Sequence, residues 1–557
     1  MDNGIRTLNN SSHNISIDKN FKLIAGPGAG KTTFLVNHIR NVIKNSDKLK
    51  NGRKILCITY TNVAVDTIKE RLGNYTNDVE ISTIHHFLYK HILKPYIWIL
   101  KNEINSNLLD LSNVNISFPS FSVLPRKKMQ LLVLNYTSKD LISYIKKVYW
   151  ILDEAGNIKP KYHGKIPFKI DEILEYKNNL WNDGKITPDD ILKFSYEILI
   201  KEPIISDVLR IKFPYIFIDE FQDVCDIQCN IIELISEKNI NIGVIGDPAQ
   251  SIYSFRGANY GNIENINLDM QKYIIKNNNR SSDKIVNVLN NFRKDDLIQI
   301  AERKSDILPK ILVGDELKAY YYALDMIDSD LTVLSYKHNE LNDLNFRVFS
   351  KNHSTKRECL KKFWSFDDHP RDTIIEYTIK AIESFREGDF ENARRYMIFA
   401  SHYYESDENI ILKKLFDLSQ NYDDFKCKSL KEFYLKNIYI KGVKNLINIC
   451  GGKPKAIYES LNYMDLANDI KNSHNNNFRT IHSCKGLEFD NVLILIDNAS
   501  LKFLFDFNMD VEKHRVYYVA MSRARNNLFI SIPYLDDSRH SFLKDKGFEI
   551  INLNNVV

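Results

Sequence analysis

The 557-residue chain has little that would tie it to an oxidising compartment or a membrane. Its seven cysteines (Cys57, Cys225, Cys229, Cys359, Cys427, Cys450 and Cys484) are odd in number and scattered, and none forms a C-x-x-C pair. That spacing indicates neither a disulfide framework nor a zinc site, and a reducing cytoplasm is the default expectation. Cys225 and Cys229, four apart on an expected helix, read as core residues. No run of about 18 apolar residues occurs, so no membrane span and no membrane partner are expected. The start MDNGIRTLNN has no basic stretch leading into an apolar one, so no signal peptide is expected. Neither sign of charge dominates; a net charge of +5 is compatible with nucleic acid without requiring it. Glycine is sparse at 20 residues, yet Gly26, Gly28 and Gly30 fall within five positions.

Those glycines lie in Phe21 to Thr33, FKLIAGPGAGKTT, where an apolar run enters a turn and FLVNHIRNVI continues as a helix. Strand, glycine turn and helix is the context of a phosphate-binding loop. The turn Ala25-Gly26-Pro27-Gly28-Ala29-Gly30-Lys31-Thr32-Thr33 departs from G-x-x-x-x-G-K-[ST] only in its first position, Ala25. Glycine lets the backbone take positive φ and approach an anion. The N–H groups at the helix start point at phosphates. Lys31 then supplies charge for the β/γ-phosphates, and Thr32 a hydroxyl for Mg²⁺.

Residues 21–95 alternate apolar strands with helical patterns (KLIAG, KILCITYT, AVDTIKERL), which predicts a parallel α/β sheet. The pattern from 96 to 189 is helical and irregular, with a Pro/Ser cluster at SFPSFSVLPRKK. PYIFIDE and NIGVIGD return as buried strands, each ending in acid. A second α/β unit starts near 266 with LTVLSYK as a strand, 341–474 is mostly helical, and NVLILI and NLFISI bring strands back. The polar tract NSHNNNF reads as a hinge. No fixed-period repeat is apparent.

Two carboxylates at the end of a buried strand, Asp219 and Glu220 of IFIDEFQD, are costly unless a cation or substrate compensates them. Asp219 is placed to hold Mg²⁺ and Glu220 to activate the attacking water. In VIGDPAQSIYSFRGA, Gln250 is within reach of a γ-phosphate or that water. Tyr253, Phe255 and Arg256 offer π-faces and a guanidinium, the parts of a single-strand stacking platform. Taken alone, the same rings read better as core aromatics.

With these motifs come ITYTNVAVDTIKERL, STIHHF, NNNRSSDKIV, TIHSCKGLEFD and HRVYYVAMSRAR, in that order along the chain. The set resembles the superfamily 1 helicases of the UvrD/PcrA/Rep type over almost the whole length. LWNDGKITPDDILKF also resembles that family's helical segment before the DE strand. The resemblance implies an α/β fold with two RecA-like parallel-sheet motor domains, each with a mainly helical insertion. Its boundaries are 1–95 and 190–265 for motor 1A, 96–189 for insertion 1B, 266–340 and 475–557 for motor 2A, and 341–474 for insertion 2B. It implies ATP as substrate, with other NTPs open, and Mg²⁺ as cofactor. It makes Arg280 and Arg523 fingers on the γ-phosphate and Glu488 a contact to the sugar. Tyr60, Thr61, Asn62, His85, Tyr253, Phe255, Arg256 and His482 would line a single-strand track.

Residues 1–60 contain no Gln to read adenine; Asn9 or Asn10 stands near that place. Asn279 replaces the aromatic before the finger arginine, Phe255 the usual Trp, and Val63 the Lys after T-x-T-N. No nuclease-like acidic cluster follows residue 525, and both insertions are compact. The basic stretch HSTKRECLKK (353–362) reads as a solvated helix face or a duplex contact. Three uses stay open. One is a 3′→5′ helicase like the helicase-like (GajB-like) subunit of Gabija anti-phage systems, beside a nuclease/ATPase partner of the Gabija A type. The second is an NTPase switch that senses DNA ends and activates a partner nuclease without processive unwinding. The third is a DNA repair helicase. Single-stranded or end-containing DNA is the expected partner in all three.

Overall fold

The computed structural model describes residues 5–101, 115–116, 148–162, 169–182, 184–236, 240–293, 295, 297–349, 359–360, 363, 370–401, 404–405, 407–443, 446, 448–449, 452–473 and 477–554. The cluster SFPSFSVLPRKK, most of HSTKRECLKK, the middle of NSHNNNF and Cys450 lie outside them. Two compact units emerge: one from the described residues of 1–336 and 479–557, the other from those of 337–478.

The first unit is built on two parallel sheets. One has seven strands in the order Ile5–Leu8, Gln271–Ile275, Phe21–Ala25, Asn241–Gly246, Tyr215–Ile218, Ile55–Thr59, Val79–Thr83. All neighbouring pairs run parallel. Successive side chains point to opposite faces, and both faces are buried here. Ile55, Cys57, Tyr215 and Phe217 pack with Phe34, Leu35 and Ile39 of the helix Lys31–Asn45. The alternate residues Leu56, Ile58, Ile216 and Ile218 pack with Ile191 and Leu199 of Pro188–Lys201 and Ile231 of Asp226–Ser236. That explains why the strands read as continuous apolar runs. Gln271–Ile275 joins this sheet between Ile5–Leu8 and Phe21–Ala25, so the first sheet extends past residue 265, where the motif order ends it. QKYII is only five residues, two polar followed by three largely apolar, so nothing in it names its sheet. Cys225 precedes the helix Asp226–Ser236 rather than lying on it.

In the second sheet, Leu331–Ser335, Phe489–Leu495, Ala524–Ile532, Lys310–Val313 and Glu549–Asn552 follow one another in parallel. Its core joins Ile494, Ile530 and Ile311 to Leu289 of Asp283–Phe292 and to Val516 and Ala520 of Glu512–Met521. It reaches the first sheet with the segments that lead into its strands: Lys485 and Glu488 precede Phe489–Leu495, and Arg523 precedes Ala524–Ile532.

The described residues between 96 and 189 add an antiparallel hairpin, Val148–Leu152 with Ile158–Tyr162, to their helices. Beneath it lies a buried ion pair. Lys177 Nζ donates to Asp190 Oδ1 at 2.8 Å and to Thr187 Oγ1 at 2.7 Å. Trp150 and Trp181 donate their indole N–H groups to the same carboxylate at 3.1 and 3.2 Å, and the Thr187 amide at 2.8 Å. Burial opposes the charge on Asp190, but Lys177 outweighs it and holds the carboxyl below its usual range. Lys177→Met keeps the bulk but leaves this carboxylate without its cation. A loss of ~3–5 kcal/mol is expected, the cost of breaking a buried pair from one side. A urea-unfolding midpoint unchanged from wild type would show the pair to be dispensable.

The second unit is helical: Pro370–Arg386, Phe390–Ser401, Glu408–Gln420, Leu430–Asn437 and Tyr463–Ser473 enclose Ile375, Ile379, Met397, Leu415 and Phe433. Tyr463 closes its core by donating to Glu383 Oε1 at 2.8 Å. Among the described residues no helix is long and apolar enough to cross a membrane.

Candidate nucleotide and nucleic-acid sites

The phosphate loop begins where the buried strand Phe21–Ala25 ends. Gly28 and Gly30 have φ of 70° and 81°, which a side chain would strain, and the Ala29 amide closes the turn on the Gly26 carbonyl at 3.3 Å. The first N–H groups of Lys31–Asn45 have no partner within the helix and open into the loop. Lys31 Nζ rests on the Ala25 carbonyl at 3.2 Å. Thr32 Oγ1 lies 3.5 Å from Asp219 Oδ2.

Asp219 and Glu220 are carried to this point by the fully buried strand Tyr215–Ile218, and the Asp219 amide extends the ladder to the Ile58 carbonyl at 2.9 Å. Glu220 has φ 54° and ψ 41°, a left-handed conformation costly for a side chain that turns its carboxylate toward the loop. Burial, and then the adjacent Glu220 charge, push Asp219 up to about 7. Burial also opposes the charge on Glu220, but Lys31, then Lys485 and Arg523, outweigh it and hold its carboxyl below its usual range. One hydroxyl and one carboxylate, the latter ill-compensated on its own, fit Mg²⁺. That ion takes few protein oxygens and draws the rest from water and phosphate. Among the described residues no group of three His, Cys, Asp or Glu side chains gathers for another metal.

Arg523 comes from the segment leading into the second sheet's strand Ala524–Ile532, and Arg280 from Asn277–Ser282, which pairs with Ile300–Arg303 in a separate two-stranded sheet. Arg523, 2% exposed, donates to Gln250 Oε1 at 2.9 Å and to the Leu487 carbonyl at 3.2 Å. Burial, and then the neighbouring Arg280 charge, lower it to about 10. Arg280 donates to Glu488 Oε2 at 2.7 Å and to the Ser522 carbonyl at 3.1 Å, and Arg525 takes the other Glu488 oxygen. Glu488 therefore holds two arginines here. Gln250 is pinned at both ends, its Nε2 donating to Asp247 Oδ2 at 2.7 Å.

Several residues that carry this arrangement are not among the candidates read from the sequence. Arg293 forks onto Asp247 at 3.0 and 3.1 Å and ties Gln250 to the second sheet. Lys485 pairs with Asp223 and donates to the Gln250 carbonyl at 2.8 Å. Gln299 Nε2 donates to the Pro27 carbonyl at 2.9 Å, and its side chain fills the space a Cβ at Gly26 would need. Asn278 Oδ1 accepts the Arg280 and Ser281 amides at 3.0 Å each. Lys485 and Asn278 lie inside quoted motifs; Arg293 and Gln299 are lone polar residues without spacing to mark them.

The base-reading positions are occupied otherwise. Asn10 Oδ1 accepts the Ser12 amide at 2.9 Å, closing its own turn. Ser11, not an asparagine, is the residue a Cβ on Gly30 would strike. The exposed Asn279 donates its backbone N–H to the Gly28 carbonyl at 2.9 Å.

The aromatic residues gather beside this cleft. Tyr60 and Tyr253 stack at 4.9 Å with planes 15° apart. Phe255 meets His482 edge-on at 5.7 Å, and Tyr336, unmarked in the sequence, meets His482 at 5.6 Å. Arg256 lies 5.7 and 5.6 Å from the Tyr253 and Phe255 rings. Burial, and then Arg256, lower His85 to about 4, so it is neutral at physiological pH. Thr61 spends its hydroxyl capping Asn62–Leu72, accepting the Ala64 amide at 3.2 Å, and Asn62 is exposed beside it. Phe255 is only half-buried, as a stacking ring must be. Phe255→Ala is expected to weaken oligo(dT) binding by ~1–3 kcal/mol, the worth of one base stack, in a fluorescence-anisotropy titration. Unchanged affinity would make the ring a packing residue.

The family model for the UvrD/REP helicase N-terminal domain matches residues 8–271, and that for the UvrD-like helicase C-terminal domain matches 255–533. The chain is 24% identical to the Gabija protein GajB of Bacillus cereus strain HuB5-5, over 94% of each chain. It is 23% identical to GajB of B. cereus strain VD045, over 97% of each. It is 28% identical to the ATP-dependent DNA helicase PcrA of Bacillus subtilis strain 168, over 54% of this chain and 40% of that one.

Proposed function

The chain belongs to the UvrD/Rep helicase family, and from that premise we propose that it is an ATP-hydrolysing, Mg²⁺-dependent helicase motor stimulated by DNA and moving 3′→5′ on a single strand. The observation that carries this reading is the convergence of positive charge on one half-buried carboxylate. Glu220 feels Lys31 from the first sheet and Lys485 and Arg523 from the second. Such a set suits a triphosphate bound between the sheets, with Lys31 on the β/γ-phosphates and Arg523 and Arg280 on the charge that develops at the γ-phosphoryl. Thr32 and Asp219 would hold Mg²⁺, which when bound offsets phosphate charge. Glu220 would take the proton of the attacking water, and Gln250 would orient that water or the γ-phosphate. Glu488 would pass from Arg280 to the sugar. Closing and opening of the cleft, felt at Tyr60, Tyr253, Phe255, Arg256 and His482, would become stepping.

The similarity to GajB over nearly the whole chain supports a role in anti-phage defence beside a nuclease/ATPase partner of the Gabija A type. Motor and end-sensing switch are separated by assaying ATP hydrolysis and strand displacement on the same duplexes with 3′ or 5′ tails. Displacement from 3′ tails only supports the motor. Hydrolysis stimulated by DNA without displacement favours the switch.

The nucleobase is expected to matter little. Asn10 spends its acceptor on its own turn, and Asn279 offers no ring. A site discriminates strongly only where its buried polar groups would be left unpaired by the wrong ligand. ATP and GTP should therefore be hydrolysed with comparable kcat/KM, and Asn279→Tyr should tighten ATP more than it changes kcat. A preference of ~10²-fold for ATP, about 2.7 kcal/mol, would show that another group reads the base.

A further inference from the structure

The helix Glu512–Met521 lies between the two sites and touches both ends of the loop that joins them. At its far end Arg523 bonds Gln250. Near its start the buried Arg515 donates from Nε to the Ser251 carbonyl at 2.6 Å. At its first residue Glu512 Oε1 accepts the Ser254 amide at 2.7 Å. The loop and the helix therefore run alongside each other in opposite directions, 250 against 523, 251 against 515 and 254 against 512. Arg515 is braced in turn by the Met509 carbonyl and the Tyr260 ring, 4.8 Å away, while Tyr260 bonds Asp510. The loop held this way carries Tyr253, Phe255 and Arg256.

We propose that this helix is a strut between the phosphate site and the aromatic loop, and that Glu512 and Arg515 are the positioning residues that couple the two. The proposal rests on the DNA-stimulated reading above. A helix transmits displacement along its length because its backbone is already hydrogen-bonded. A movement of Arg523 onto a γ-phosphate would carry Ser251 and Ser254 with it, and a base stacked on Phe255 would bias Arg523 in return. Neither Glu512 nor Arg515 contacts the loop Gly26–Thr33 or Glu220 through any hydrogen bond or ion pair described for them, so the basal reaction should not need them.

The test is steady-state ATP hydrolysis with and without saturating oligo(dT). Glu512→Ala and Arg515→Ala should each keep the basal rate within about twofold and lose about fivefold or more of the stimulation, the lower end of ordinary coupling between sites. The double variant should lose no more than the larger single loss, because both grips serve one strut. Glu512→Gln keeps the acceptor for the Ser254 amide and should retain stimulation. Full stimulation in Glu512→Ala overturns the proposal, as do basal and stimulated rates that fall in proportion. Equal losses in Glu512→Gln and Glu512→Ala would also overturn it, since charge and not the hydrogen bond would then matter. A wild-type protein that oligo(dT) does not stimulate fails the parent reading and is recognised before any variant is made. Should the variants not fold, hydrogen exchange of the wild-type Ser254 amide decides: nucleotide binding must change its protection, and an unchanged amide overturns the strut.

Discussion

Lys31→Ala and Glu220→Gln are each expected to bring ATP hydrolysis down to background, and only the first should also abolish nucleotide binding. Lys31 would act twice: on the proposed reading it is the cation for the β/γ-phosphates, and it is the largest favourable charge on the half-buried Glu220. Without it, only Lys485, Arg523 and the Gln222 hydrogen bond stand against burial, and the Glu220 carboxyl moves toward its protonated form. The protonated group can no longer take a proton from the attacking water. Glu220→Gln removes only the proton acceptor. Its amide oxygen still accepts from Gln222, which now donates to Glu220, and Lys31, Thr32 and Asp219 stay in place. Loss of a general base costs ~10²–10⁴ in rate. A site with one negative charge fewer should bind an anionic nucleotide at least as well. Fluorescent-nucleotide titration and phosphate release, measured on the same preparation, separate the two effects. Turnover by Glu220→Gln within about tenfold of wild type would exclude Glu220 as the group that activates water.

Most of the first sheet is legible in the sequence because both of its faces are covered. Tyr215–Ile218 is apolar or aromatic throughout and Ile55–Thr59 is apolar up to Thr59, and each runs into polar residues at its end. The phosphate loop is legible for a local reason, since Gly28 and Gly30 occupy conformations that glycine adopts at least cost. Gln271–Ile275 is not assignable, because its sheet is decided by register with Phe21–Ala25 and not by its own pattern. The long-range polar ties are the least visible. Arg293 on Asp247 and Gln299 on the Pro27 carbonyl join residues 46 and 272 positions apart, and no periodicity spans such distances. They are also the contacts that hold the second sheet against the first, so the sequence names the reacting groups more readily than the groups that align them. The Glu488 assignment illustrates the difference. Its position in TIHSCKGLEFD points to a sugar contact, while its environment without nucleotide is two guanidinium groups.

Arg280→Ala and Arg523→Ala are expected to lower kcat by ~10³ or more while nucleotide affinity changes little, the behaviour of groups that stabilise charge on a transferring phosphoryl group. The electrostatics give the reason. Arg523 is buried among carbonyls and lies near enough to Arg280 to be lowered by its charge. Two guanidiniums held together in a buried setting are unfavourable until an anion joins them, and the gain grows as negative charge accumulates between them. The two positions should differ in what else they cost. Arg523→Ala strips donors from Gln250 Oε1 and from the Leu487 carbonyl, so a lower melting temperature should accompany its loss of activity. Arg280 pairs with a partly exposed Glu488, and its removal should leave the melting temperature near that of wild type. Arg523→Lys should not rescue, because an ammonium cannot reproduce the fork that reaches Gln250 and Leu487 together. If Arg280→Ala kept kcat within about tenfold, its bond to Glu488 would be its whole role, and Arg523 would act on the γ-phosphate alone.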